Sequence, residues 1–92
     1  MGIDYVDLVF QLEKRFEVRI GRGEGPDLSV EAFRELTAGD VHEWMVGLLK
    51  KRGREAPWSS WNRVRAAIGM VAGKSPMEIR RGTRLRGDLK FD

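Results

Sequence analysis

The chain reads as four amphipathic helical segments, and nowhere do apolar residues alternate with the two-residue period of a half-buried strand. The first stretch predicts a helix from Ile3 to Val18. Ile3, Val6, Val9, Phe10 and Phe16 fall near a period of 3.6, and Leu8 and Leu12 widen the stripe. Gly21, Gly23, Gly25 and Pro26 then interrupt regular structure, since glycine adds backbone freedom and proline removes a donor, so residues 21–27 are expected to form a mobile loop. Ser29 is placed to cap a short helix through Leu36.

Thr37 followed three residues later by Asp40 has the form of a capping box, with Asp in place of the usual Glu. It opens the strongest helical pattern in the chain, in which Val41, Trp44, Met45, Leu48 and Leu49 occupy one face. Lys50, Lys51 and Arg52 complement the dipole of its last turn, and Gly53 is the expected C-cap. Residues 54–59, with Pro57, read as a linker. Ser59 or Ser60 starts another helix, with Trp61, Val64, Ile68 and Val71 on one face and Gly73 at its end. Ser75-Pro76-Met77-Glu78 combines a capping Ser, Pro at the first helical position and Glu three residues on, which specifies one short helical turn. The remainder is expected to be an ordered loop anchored by Ile79, Leu85, Leu89 and Phe91. The pattern predicts an all-α fold, a small three-to-four-helix bundle.

Composition narrows the class. With 92 residues and a 41% hydrophobic fraction, the chain is expected to form a single domain over residues 1–92. It has no cysteine, which removes disulfides and thiolate metal sites. The N-terminal residues lack the features of a secretory signal and no apolar run approaches a membrane span, so a cytoplasmic protein without membrane contact is expected. The net charge of +3 is unevenly spread: residues 1–49 hold 5 basic and 10 acidic side chains, residues 50–92 hold 12 and 4. The two halves are complementary in sign, which favours their packing on each other.

Candidate chemistry is sparse. The one histidine, His42, lies in a helix beside Glu43, without a nucleophile or metal-ligand partner at helical spacing, and reads as a surface or boundary residue. Ser29, Ser59, Ser60 and Ser75 sit where caps or loop residues belong. Gly21-Arg22-Gly23-Glu24-Gly25 lacks the Lys-Ser/Thr terminus of a phosphate loop. The expectation is a non-enzymatic protein with no metal and no cofactor. The alternative is a small basic nucleic-acid-binding protein, in which Arg80, Arg81, Arg84 and Arg86 form the candidate basic patch and Trp58 and Trp61 stack on bases. The helical positions of Trp44 and Trp61 fit core packing better than base stacking.

The two ends of the chain complete one motif in reverse order. The chain closes with Asp88-Leu89-Lys90-Phe91-Asp92 and opens with Met1-Gly2-Ile3-Asp4-Tyr5-Val6. Joined, these segments resemble the loop of the acyl carrier protein family in which Asp-Leu-Gly-x-Asp runs into Ser-Leu and the second helix, that Ser carrying the phosphopantetheine arm. Residues 63–92 resemble the family's first helix and first loop, through Arg63-Val64, Ile68, Gly73, Glu78-Ile79 and Asp88-Leu89. Residues 3–20 resemble its second helix, most closely at Val6-Asp7-Leu8-Val9 and Leu12-Glu13 through Phe16. Thr37 to Met45 resemble the start of its last helix, including Gly39, Asp40 and Trp44.

The resemblance implies a circularly permuted carrier fold, with residues 1–53 as helices two to four, residues 54–59 as a linker joining the former ends, and residues 60–92 as helix one and its loop. It also implies the loss of the attachment point, because Gly2 occupies the Ser slot. A second register would put Tyr5 there, at the expense of about one turn of the second helix, and neither register supplies a Ser. Lys90 stands where the family has Gly, two residues before that slot. The second helix mixes Asp4, Asp7, Glu13 and Glu17 with Lys14, Arg15 and Arg19, where the family is acidic. The function implied is that of a protein-interaction scaffold or pseudo-carrier, with an unidentified protein partner meeting Gly2, Ile3, Asp7, Asp88, Lys90 and Asp92. Exchange of residues 58–92 between two chains would preserve the same contacts in a homodimer.

Overall fold

The computed structural model of the chain describes residues 3–21 and 35–91, leaving aside the side chain of Ile3. They form three helices, α1 (Ile3–Phe16), α2 (Ala38–Lys51) and α3 (Ser60–Ala72), followed by a 3-10 turn at Pro76–Glu78. The protein is a small all-helical bundle. Among the described residues the only β-type pairing is an isolated antiparallel bridge between Thr37 and Arg84, and no helix is long and apolar enough to cross a membrane. The expected loop at residues 21–27 and the helix from Ser29 to Leu36 fall almost wholly outside the described residues.

Helix α3 is the element on which the others converge: α1, α2 and the 3-10 turn all pack against it. Val64, Ala67 and Ile68 supply its fully buried face, Trp61 and Val71 flank it half-buried, and α2 contributes Val41, Met45, Leu48 and Leu49. Trp44 packs against the same core from a half-buried position. Ile79, Leu85 and Phe91 then fold the C-terminal loop onto the core, with Leu89 at its margin. The acidic and basic halves of the chain are thus packed into one core.

Helix α1 departs from expectation in two ways. It ends at Phe16 rather than Val18, because Glu17 adopts a left-handed backbone with φ of +50°. Its core stripe is also rotated. Tyr5, Leu8, Leu12 and Phe16 are buried, whereas Val6 and Phe10 are 44% and 57% exposed. Two overlapping apolar stripes exist in this segment, and packing against α3 and Phe91 selects the one that contains the tyrosine.

Both ends of α2 and the end of α1 are satisfied by identifiable groups. At the start of α2 the Asp40 amide donates to Thr37 Oγ1 (3.1 Å) and Asp40 Oδ2 accepts from the Thr37 amide (3.0 Å), completing the capping box. The amides of Ala38 and Gly39, which have no partner within the helix, donate to the carbonyls of Thr83 and Arg81 at 2.9 Å each. Arg52 forms the C-cap of α2, and Gly53 follows it with φ of +71°. At the end of α1, Arg54 donates to the carbonyls of Phe16 (2.9 Å) and Glu17 (3.0 Å), and Arg63 donates to that of Arg15 (2.9 Å). The linker is therefore also a cap, in which a cation meets the negative end of a helix dipole.

Helix α3 ends at Gly73, whose φ of +70° is left-handed as a C-terminal glycine requires. The chain then doubles back so closely that the Lys74 carbonyl would lie 2.6 Å from a Cβ at Gly69. Ser75 and Glu78 form the reciprocal cap of the 3-10 turn, with the Ser75 amide 2.8 Å from Glu78 Oε2. Ser59 occupies the N-cap position of α3 but makes no capping bond; its Oγ accepts from Arg63 Nε at 3.0 Å.

Candidate functional site

Two places are of interest: the junction where the first turn of α1 meets the C-terminal loop, and a cluster around His42. The junction is built by Tyr5 in the first turn of α1 and Phe91 at the end of the loop, whose rings meet edge to face with centroids 5.3 Å apart. Burial pushes the Tyr5 phenol up to about 12, with Arg86 pulling it down less strongly than burial raises it. Phe91 is fixed by its amide, which donates to the Leu85 carbonyl at 3.0 Å. Before it, Lys90 holds a left-handed backbone with φ of +62°.

Asp7 on α1 and Asp88 and Lys90 in the C-terminal loop are exposed, and Val6 and Phe10 add exposed apolar surface along α1. Of the six residues expected to meet a partner, the backbone of Ile3 begins α1, while Gly2 and Asp92 lie outside the described residues. Asp88 faces its own loop: Oδ2 accepts from the Arg84 amide at 2.8 Å and Oδ1 lies 3.5 Å from the Arg84 guanidinium. That amide bond, with the nearby cations Arg84 and Lys90, holds its carboxyl below the usual range.

The second cluster joins α2, α3 and the C-terminal loop. His42 on α2 places Nε2 at 2.8 Å from Ser60 Oγ on α3 and Nδ1 at 3.1 Å from Arg81 Nη1 in the C-terminal loop. Ser60 is buried and Trp61 closes the other side, its ring 5.6 Å from the imidazole. Arg81 lies 4.4 Å from the centre of the Trp61 ring and Arg65 lies 5.5 Å from it. Sequence spacing gives no sign of this cluster, since its hydrogen bonds link residues 18 and 39 positions apart.

A buried serine bonded to a histidine has the outline of a nucleophile and its base, but the third group reverses the chemistry. A guanidinium only donates hydrogen bonds, so Nδ1 of the neutral ring must accept from Arg81 and its proton resides on Nε2, from which it is donated to Ser60. A general base would need the opposite tautomer, held by an acceptor on Nδ1. His42 and Ser60 therefore serve here as a hydrogen-bonded strut. Burial first, then the Arg81 charge, lower the His42 pKa below 6.5, against a smaller pull from Glu43.

The candidate basic patch is resolved into unlike residues. Arg81 is taken up by Trp61 and His42, and Arg84 by Asp88, while Arg80 and Arg86 are also exposed. Arg65 donates to the carbonyls of Pro76 (2.9 Å) and Ile79 (3.0 Å). Of the two tryptophans considered for stacking, Trp61 carries arginines on its ring, whereas Trp58 is 95% exposed. Among the described residues no group of three or more His, Asp or Glu is placed to hold a metal. No family model, curated protein or solved structure matches the chain.

Proposed function

We propose that the chain is a carrier-like module in permuted order, without a phosphopantetheine site, that works as a non-enzymatic scaffold for a protein partner. The observation that supports this reading is the Tyr5–Phe91 contact, in which a residue of the opening segment meets one of the closing segment. The left-handed backbone of Lys90 supports it independently, because the resemblance assigns glycine to that position and glycine is the residue that such a backbone favours. The partner surface combines the exposed loop residues Asp88 and Lys90 with the exposed residues Val6, Asp7 and Phe10 of α1. An exposed aromatic beside mixed charge is the composition of an anchor with a polar rim.

The nucleic-acid reading draws on the same loop but is weaker, since Arg81 and Arg84 already have partners in the fold and Arg54, Arg63 and Arg65 hold backbone carbonyls. Intact mass after co-expression with a broad-specificity phosphopantetheinyl transferase tests the proposal. The mass stays unchanged if the reading holds, and a gain of one phosphopantetheine arm on any serine returns the protein to the ordinary carriers. Photo-crosslinking from a reactive residue at Phe10 reads the partner surface, with protein adducts expected there and none from the equivalent residue at Met77.

A further inference from the structure

The hydrogen bonds around His42 define a state that a single proton destroys. Nδ1 can accept from Arg81 only while it is unprotonated, and protonation would set an N–H against a guanidinium that has only N–H groups to offer. It would also place a second positive charge about 3 Å from the first, which costs free energy even under partial solvent screening. We propose that His42 is a proton-operated latch on the arginine-rich loop: neutral, it holds the Arg81 guanidinium against Trp61, and protonated on Nδ1, it releases that guanidinium to solvent.

The groups facing the ring come from three elements. The loop contributes Arg81; α3 contributes the Ser60 hydroxyl, Trp61 and, across the same indole, Arg65; α2 itself contributes Glu43. Neither ring nitrogen is bonded to a carboxylate, and the pull of Glu43 is smaller than the combined opposing effects of burial and the Arg81 charge. The movement is confined to side chains. The Gly39 amide still bonds the Arg81 carbonyl, the Ala38 amide that of Thr83, and the Leu85 amide that of Leu36, and none of these titrates. Acid therefore turns Arg81 from a tethered into a mobile cation beside exposed Arg80 and Arg84, raising the attraction of this loop for anionic groups.

Imidazole 15N NMR of the intact chain tests the latch, with direct assignment because there is one histidine. The wild-type protein is expected to show the Nε2–H tautomer at neutral pH and to titrate below 6.5, with the Trp61 indole signal moving at the same midpoint. Arg81→Gln, which removes the charge and can accept as well as donate, raises the midpoint, whereas Arg81→Lys keeps it low. His42→Gln abolishes the movement of Trp61. The Nδ1–H tautomer, an unchanged midpoint in Arg81→Gln, or the same Trp61 response in His42→Gln would each overturn the proposal. If Arg81→Gln does not fold, the wild-type tautomer and the His42→Gln comparison still decide it.

Discussion

Phe91 closes edge-on against Tyr5 at 5.3 Å, with ring planes 77° apart, so the last described residue of the chain covers the first turn of its first helix. This contact buries both rings and gives the protein's single tyrosine an environment that reports on the junction.

The first prediction uses that tyrosine. Its phenol is expected to ionise near pH 12 rather than 10, so the phenolate absorbance of the folded protein should stay absent through pH 10.0. An acid whose folded-state pKa is raised contributes stability below its unfolded value and loses it as pH rises between the two, here from 10.0 to about 12. Phe91→Ala opens the junction, and the phenol should then titrate closer to 10.0. An unshifted wild-type phenol would mean that Phe91 does not pack on Tyr5 in solution.

Lys90 supplies the second prediction. A side chain in the left-handed region costs roughly 1–2 kcal/mol, and glycine there avoids that cost while adding entropy to the unfolded chain. Lys90→Gly is therefore expected to stabilise the protein by up to about 1 kcal/mol, read as a midpoint rise of roughly 4 °C in thermal unfolding. The lost bond from Lys90 Nζ to the Gly87 carbonyl is long at 3.5 Å and changes this little.

Two glycines in helices should respond with opposite signs. A Cβ at Gly47 meets nothing within 4 Å, so Gly47→Ala should stabilise by about 0.5–1 kcal/mol through helix propensity. A Cβ at Gly69 would lie 2.6 Å from the Lys74 carbonyl, a backbone atom held by the left-handed turn at Gly73. Gly69→Ala should destabilise by about 1–3 kcal/mol, the range for forced overpacking. Urea unfolding of both variants checks the pair.

The features legible in the sequence are those whose hydrogen bonds span a few residues. The Thr37–Asp40 box, the Ser75–Glu78 box and the left-handed stop at Gly73 each depend on chemistry within one turn, and the residue types announce it. The rotation of α1 was not legible, because Val6 and Phe10 compete with Tyr5, Leu8 and Leu12 for the core and the winner is set by Phe91 at the far end of the chain. Arg54 reads as a linker residue for the same reason: the carbonyls it holds are 37 and 38 positions away. In the sequence His42 reads as a surface or boundary residue, Ser60 as a cap and Arg81 as part of a basic patch, because the three meet only in the folded protein.

The central proposal is that this chain resembles a carrier fold opened at the attachment loop, and rejoining the loop tests it most directly. A rearranged chain would start at Pro57, run to Asp92, continue directly into Gly2 and end at Ala56, which leaves Arg54 in place to hold the end of α1 and Pro57 to bond the Ser60 amide. It is expected to fold with the helical content and Tyr5 titration of the natural chain. With Gly2→Ser added, it should gain one phosphopantetheine arm, by intact mass, when treated with a broad-specificity transferase. A rearranged chain that folds but stays unmodified at that serine, or one that does not fold at all, would contradict the account.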